Sequence, residues 1–164
     1  MTFKSNKIEY PPFGEWNWRR YDGHKKADID EFIKYHKDDM FFIGTDSQNY
    51  LKRKKICVFT TVLIAYKMRR GGAIITHTDR TPCMASLRQR LLLEAMRSLE
   101  TAWYLDSKVD SKNIIGIHLD VNSNLKYKSA QYKEELVGLV AAQGFNALTK
   151  PDAWAASCVA DSKC

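Results

Sequence analysis

Three apolar, β-branched runs separated by short polar turns dominate the first half of the chain: FFIGTDSQ at 41–48, ICVFTTVLIAY at 56–66 and AIITHT at 73–78. With NYLKRKK and KMRRGG between them, they predict an antiparallel meander. The period then changes. In LRQRLLLEAMRSLETAWYL, Leu91, Leu92, Ala95, Leu99, Ala102 and Trp103 recur at helical spacing and form one apolar stripe. NIIGIHLD at 113–120 predicts a fourth strand, and residues 127–143 a second long helix stopped by Gly144. GFNALT at 144–149 predicts a last short strand, and Pro151 suits the first turn of a final helix, PDAWAASCVAD.

Ahead of the meander, Asp28 predicts the N-cap of a short leading helix over 28–37 that turns Ile29, Phe32 and Ile33 inward. Residues 1–27 carry Pro11-Pro12, Trp16 and Trp18 and predict an irregular N-terminal arm. Its tryptophans suit either stacking on bases or pinning the arm to the domain. The resulting order, β-β-β-α-β-α-β-α, predicts a single α/β domain over 28–164, with a mixed sheet and helices on its faces. Strands joined by helical crossovers should run parallel to one another.

Composition narrows the class. With 164 residues, 45% of them hydrophobic, the chain is long enough for one substantial core. MTFKSNKIEY lacks the apolar stretch of a signal peptide, and VFTTVLIAY is too short to span a bilayer, so a cytoplasmic location is expected. The cysteines, Cys57, Cys83, Cys158 and Cys164, form no CxxC pair. His77, Asp79 and Cys83 come nearest to a zinc-binding spacing, and no GxSxG elbow is present. A formal net charge of +7 suits a polyanionic partner.

The chemistry lies in acids placed where core residues would be expected. Asp46 stands near the end of the first strand and Asp120 at the end of the fourth. Strand alternation groups Ile114, Gly116, His118 and Asp120 on one face, and Ile115, Ile117 and Leu119 on the other. If the first and fourth strands are parallel neighbours, the two aspartates meet at the carboxyl edge, where open α/β sheets bind ligands. Glu94 borders the helical stripe, and Asp152 lies in the first turn of the last helix. Each acid also has a local role open to it: Asp46 in a turn with Gln48, Glu94 beside Arg90 or Arg97, Asp120 in an Asx-turn, Asp152 on a helix dipole. Four carboxylates at one edge would repel unless cations sat among them. Two Mg²⁺ or Mn²⁺ ions roughly 4 Å apart would serve, and would suit phosphodiester hydrolysis.

In order along the chain, IGTDSQ, RQRLLLEAMRSL, IHLDVN and KPDAWAASCVAD resemble the YkuK-like family of the ribonuclease H-like superfamily, over roughly residues 29–164. The resemblance implies a five-stranded mixed sheet in the order 3-2-1-4-5, strand 2 antiparallel, and a metal-dependent nuclease-type site. Asp46, Glu94 and Asp120 take the positions of the family's first-strand, first-helix and fourth-strand acids. Asp152 is expected as the fourth, with Asp161 as the alternative.

Around these acids, Lys52, Arg53, Lys54 and Lys55 follow the first strand, at the edge of Asp46, and are expected to track phosphates. Arg69 and Arg70 fall at the opposite edge. Ser47, Gln48 and Lys150 are possible substrate contacts and His118 a possible metal or phosphate contact, each with a structural role also open, favoured for His118. The expected activity is divalent-metal-dependent cleavage of RNA, an RNA–DNA hybrid or structured DNA. The alternative is a non-catalytic nucleic-acid-binding or scaffold domain of the same fold.

Overall fold

The computed structural model describes residues 11–21, 25–50, 56–82, 86–122 and 124–150. The meander forms as expected, with longer strands: β3 (Met40–Tyr50), β4 (Ile56–Lys67) and β5 (Gly71–Pro82). Its β-branched residues favour the pleated backbone. It is preceded by β1 (Trp18–Arg20), β2 (Lys26–Ala27) and the short helix α1 (Ile29–Tyr35). The long helix α2 (Leu87–Asp106) follows, capped by Ser86, whose hydroxyl accepts from the backbone of Gln89. Then come β6 (Ile114–Asn122), α3 (Lys133–Ala142) and β7 (Ala147–Lys150).

The sheet has seven strands in the order β2-β1-β5-β4-β3-β6-β7, not five. The expected 3-2-1-4-5 core lies within it as β5-β4-β3-β6-β7. β4 runs antiparallel to both its neighbours, while β6 runs parallel to β3 and β7. The two additional strands correct the reading of the N-terminal segment as irregular. Trp18, Arg19 and Arg20 pair with His77, Thr76 and Ile75 on the free edge of β5. A strand of three residues is too short to show a period, and Trp16 and Trp18 are buried on the same core as α2.

Local signals account for the helix ends. Asp28 caps α1 by accepting from the backbones of Asp30 and Glu31, as expected. The second long helix is shorter than its pattern: residues 128–132 form a 3-10 turn, and α3 begins at Lys133. Gly144 stops it with a φ of 85°, a left-handed conformation that glycine adopts without strain.

One core cluster joins Ile33 of α1, Leu91, Ala95 and Leu99 of α2, and Leu136 and Val140 of α3 to Phe41, Ile43, Leu63 and Ile117 of the sheet. Helices on both faces are therefore not seen among the described residues; the expected last helix lies outside them. The opposite face carries a smaller cluster built on Val62 and Ile64, with Phe42 and Ile74 against it. A register shift between β3 and β6 pairs Phe41 with Ile114 but Phe42 with Gly116. This bulge takes Ile114 off the face expected from alternation and into the main core beside Ile117, Leu119 and Val121.

Candidate active site

β3 and β6 separate where the acids stand. Their pairing ends at Gly44 and His118, and Asp46 and Asp120 each lie two residues further on. Alternation from that last pair gives both aspartates the same face. Thr45 and Ser47 point the other way, towards α2. Thr45 hydrogen-bonds Ser98 at 2.8 Å, and the Ser47 hydroxyl donates to Glu94 at 2.5 Å. Asp46, Glu94 and Asp120 all line one cleft of about 330 Å³ where the two strands part.

The local roles considered for these acids are partly redistributed. Asp46 accepts from the backbone of Ser47, at 2.9 Å. Arg97 does not serve Glu94: its guanidinium makes a buried two-pronged pair with Asp79, at 3.0 and 2.6 Å, and also donates to the carbonyl of Leu93. Glu94 is pushed up to about 8, chiefly by burial; the Ser47 hydrogen bond pulls it down, Asp120 pushes it up and Arg90 lowers it. Asp120 forms an ion pair with Lys150.

Other expected positions resolve differently. His118 is buried against the ring of Phe42, and burial lowers it to about 4, so it is neutral at physiological pH. Gln48 is half-buried, two residues beyond Asp46 on its face. His77 stacks on Trp16 at 4.4 Å and its Nδ1 meets the backbone of Asn17, while Asp79 holds Arg97; Cys83 lies outside the described residues. Arg69 and Arg70 stand in the turn between β4 and β5, at the edge away from Asp46. Asp152, Asp161, Lys52, Arg53, Lys54 and Lys55 also lie outside the described residues.

Sequence reasoning missed several residues that line the same cleft, among them Arg90, Asn122, Tyr127 and Ser129. Arg90 was within reach as a site residue, since it precedes Glu94 by one helical turn. Tyr127 and Ser129 come from a connection with no apolar period to place them.

Three carboxylates in one cleft are hard oxygen donors, suited in kind to Mg²⁺ or Mn²⁺. A cation would also offset the burial that keeps Glu94 protonated. Among the described residues, however, no three His, Cys, Asp or Glu side chains are grouped as metal ligands. Lys150 pairs with Oδ1 of Asp120, so an ion there would meet that carboxylate beside a lysine ammonium.

The mixed sheet, with parallel central strands and helices packed against it, defines the class of the fold. A family model described as Ribonuclease H-like matches residues 26–164, and the chain belongs to that family. Neither a curated protein nor a solved structure matches it significantly. No described helix is long and apolar enough to cross a membrane.

Proposed function

We propose that the protein is a divalent-metal-dependent nuclease of the YkuK-like branch, acting on phosphodiester bonds in RNA, RNA–DNA hybrid or structured DNA. The observation that carries this reading is the place of Asp46 and Asp120, two residues past the last β3–β6 pair, in one cleft with Glu94. Asp46, Glu94 and Asp120 would hold Mg²⁺ or Mn²⁺, two ions in all, with Asp152 or Asp161 as a fourth ligand. Bound there, the ions would supply Lewis acidity for activating water and stabilising the leaving oxygen. Ser47 orients Glu94, and Lys150, released from Asp120, would meet a phosphate oxygen. Lys52, Arg53, Lys54 and Lys55 would track the backbone of the nucleic acid. The test is a cleavage screen over single strands, duplexes, hybrids and junctions with each metal. Cleavage by the wild type should vanish in Asp46→Asn while the fold persists; undiminished turnover in that variant rules the mechanism out.

One observation favours a second reading. Lys150 satisfies Asp120, and Ser47 satisfies Glu94, without an ion. A nucleic-acid-binding or scaffold domain that has retained the fold would show salt-sensitive binding and no products.

A further inference from the structure

We propose that Arg90 and Tyr127 form a nucleotide subsite beside the carboxylates, which takes an unpaired nucleotide with its phosphate on Arg90 and its base against the Tyr127 ring. The inference rests on the nucleic-acid reading above and narrows it to substrates that are single-stranded at the site. At about 330 Å³ the cleft sits at the small end of ligand pockets, the scale of one nucleotide.

Arg90 lies one turn before Glu94 on the same face of α2, and it lines the cleft. Its Nε is buried with no hydrogen-bond partner among the described residues. A buried guanidinium donor without an acceptor is costly, and Arg is suited to planar, two-pronged recognition of phosphate. Glu94 does not meet that need: its carboxyl accepts from the Ser47 hydroxyl. A phosphate in the cleft would meet the guanidinium through the part of Arg90 that lines it, not through the buried Nε.

Tyr127 offers the complementary surface. Tyr127 is 55% exposed and lines the cleft, although its backbone is held on both sides. Its N–H donates to Asn124 at 3.1 Å, and its carbonyl accepts from Ala130 at 3.1 Å. Asn122 and Asn124 brace the approach by accepting from the backbones of Asn124 and Lys126. An exposed aromatic ring on a fixed backbone loses little entropy when a base stacks on it. Within a duplex each base face is already covered, so only an unpaired base can offer its face to the ring.

Binding without catalysis tests the subsite. A labelled short oligonucleotide, as RNA and as DNA, single-stranded and as duplex, is titrated by fluorescence anisotropy in EDTA at fixed low salt. The wild type should prefer the single strand. Tyr127→Ala should weaken single-strand binding roughly 10-fold and leave duplex binding unchanged, while Tyr127→Phe keeps both. Arg90→Ala should weaken binding and reduce the salt slope by about one. The subsite is overturned if the wild type prefers duplex, or if Tyr127→Ala keeps single-strand affinity or loses both forms equally. Because metal is absent, a single-strand preference with no cleavage in the Mg²⁺ and Mn²⁺ screen would remove the nuclease reading and leave the subsite standing. Cleavage by a protein without that preference would remove the subsite alone.

Discussion

Ser47 on β3 donates its hydroxyl to the carboxyl of Glu94 on α2, a buried bond that ties the sheet to the helix along the cleft. The bond acts against burial, which is the larger influence and holds the Glu94 carboxyl at about 8. The folded protein therefore keeps a proton that the unfolded chain releases above the ordinary value of 4.5. The stability this group contributes is complete below about 4.5 and is lost as pH rises to about 8. His118 runs the opposite way. Burial lowers it to about 4 from an ordinary 6.5, so its contribution is complete above 6.5 and is lost as pH falls towards 4. His77, also lowered chiefly by burial, works in the same direction as His118. The opposed slopes cancel in part below pH 6.5, leaving Glu94 dominant above it. Metal-free protein should lose on the order of 2 kcal/mol between about pH 6.5 and 8, read from urea midpoints. Glu94→Gln should flatten that decline, and an unchanged decline in the variant would show that Glu94 does not cause it.

Lys150 closes the cleft from the other side. Its backbone pairs with Asn122, and its ammonium reaches Asp120 on the neighbouring strand β6. A partly exposed ion pair is worth roughly 0.2–1 kcal/mol, and that is the attraction a divalent ion must overcome at Asp120. Lys150→Met should strengthen Mn²⁺ binding in calorimetry by a factor of about 1.5 to 5. The same variant should bind nucleic acid more weakly, because a cation facing phosphate is gone. Unchanged Mn²⁺ binding would mean that the carboxylate of Asp120 takes no part in holding the ion.

Much of this was legible in the sequence, for identifiable reasons. The strand-length β-branched runs of β3 to β5 and the stripe of α2 are dictated by period. That the parallel neighbours β3 and β6 bring Asp46 and Asp120 to one edge follows from chain order and crossover geometry. β1 and β2 were not legible, because strands of two or three residues gain their structure from the β5 edge and the buried tryptophans. Nor was the bulge at Ile115 predictable, since alternation carries no mark of an inserted residue. The pairing of Arg97 with Asp79 was hidden for a different reason: helical spacing offers Glu94 as a nearer partner, and tertiary packing overrides it.

That pair gives a third prediction. Arg97 is fully buried, with its guanidinium 3.8 Å from the centre of the Phe59 ring and both prongs on Asp79. Removing either member leaves a buried charge, which typically destabilises by roughly 3–5 kcal/mol. Replacing both with apolar residues of similar volume should cost far less. Asp79→Leu and Arg97→Met should each lower the urea midpoint strongly, and the double variant should recover most of the loss. If the two losses simply add, the ion pair is not the source of either.

Gly116 sets how closely β7 approaches β6. A Cβ built there would lie 2.9 Å from Leu148 Cδ1, 3.0 Å from its Cγ and 3.3 Å from the carbonyl oxygen of Asn146. Gly116→Ala must therefore displace the Leu148 side chain or β7 itself, the strand that carries Lys150 to Asp120. Overpacking of this kind costs roughly 1–3 kcal/mol. The side-chain part of the clash belongs to Leu148, so Leu148→Ala should restore much of the stability lost, although the carbonyl contact remains. Each single change should lower the melting midpoint, and the pair should be more stable than the sum of the two effects predicts. Strict additivity would mean that the two side chains do not meet, and would contradict the packing of β7 on β6.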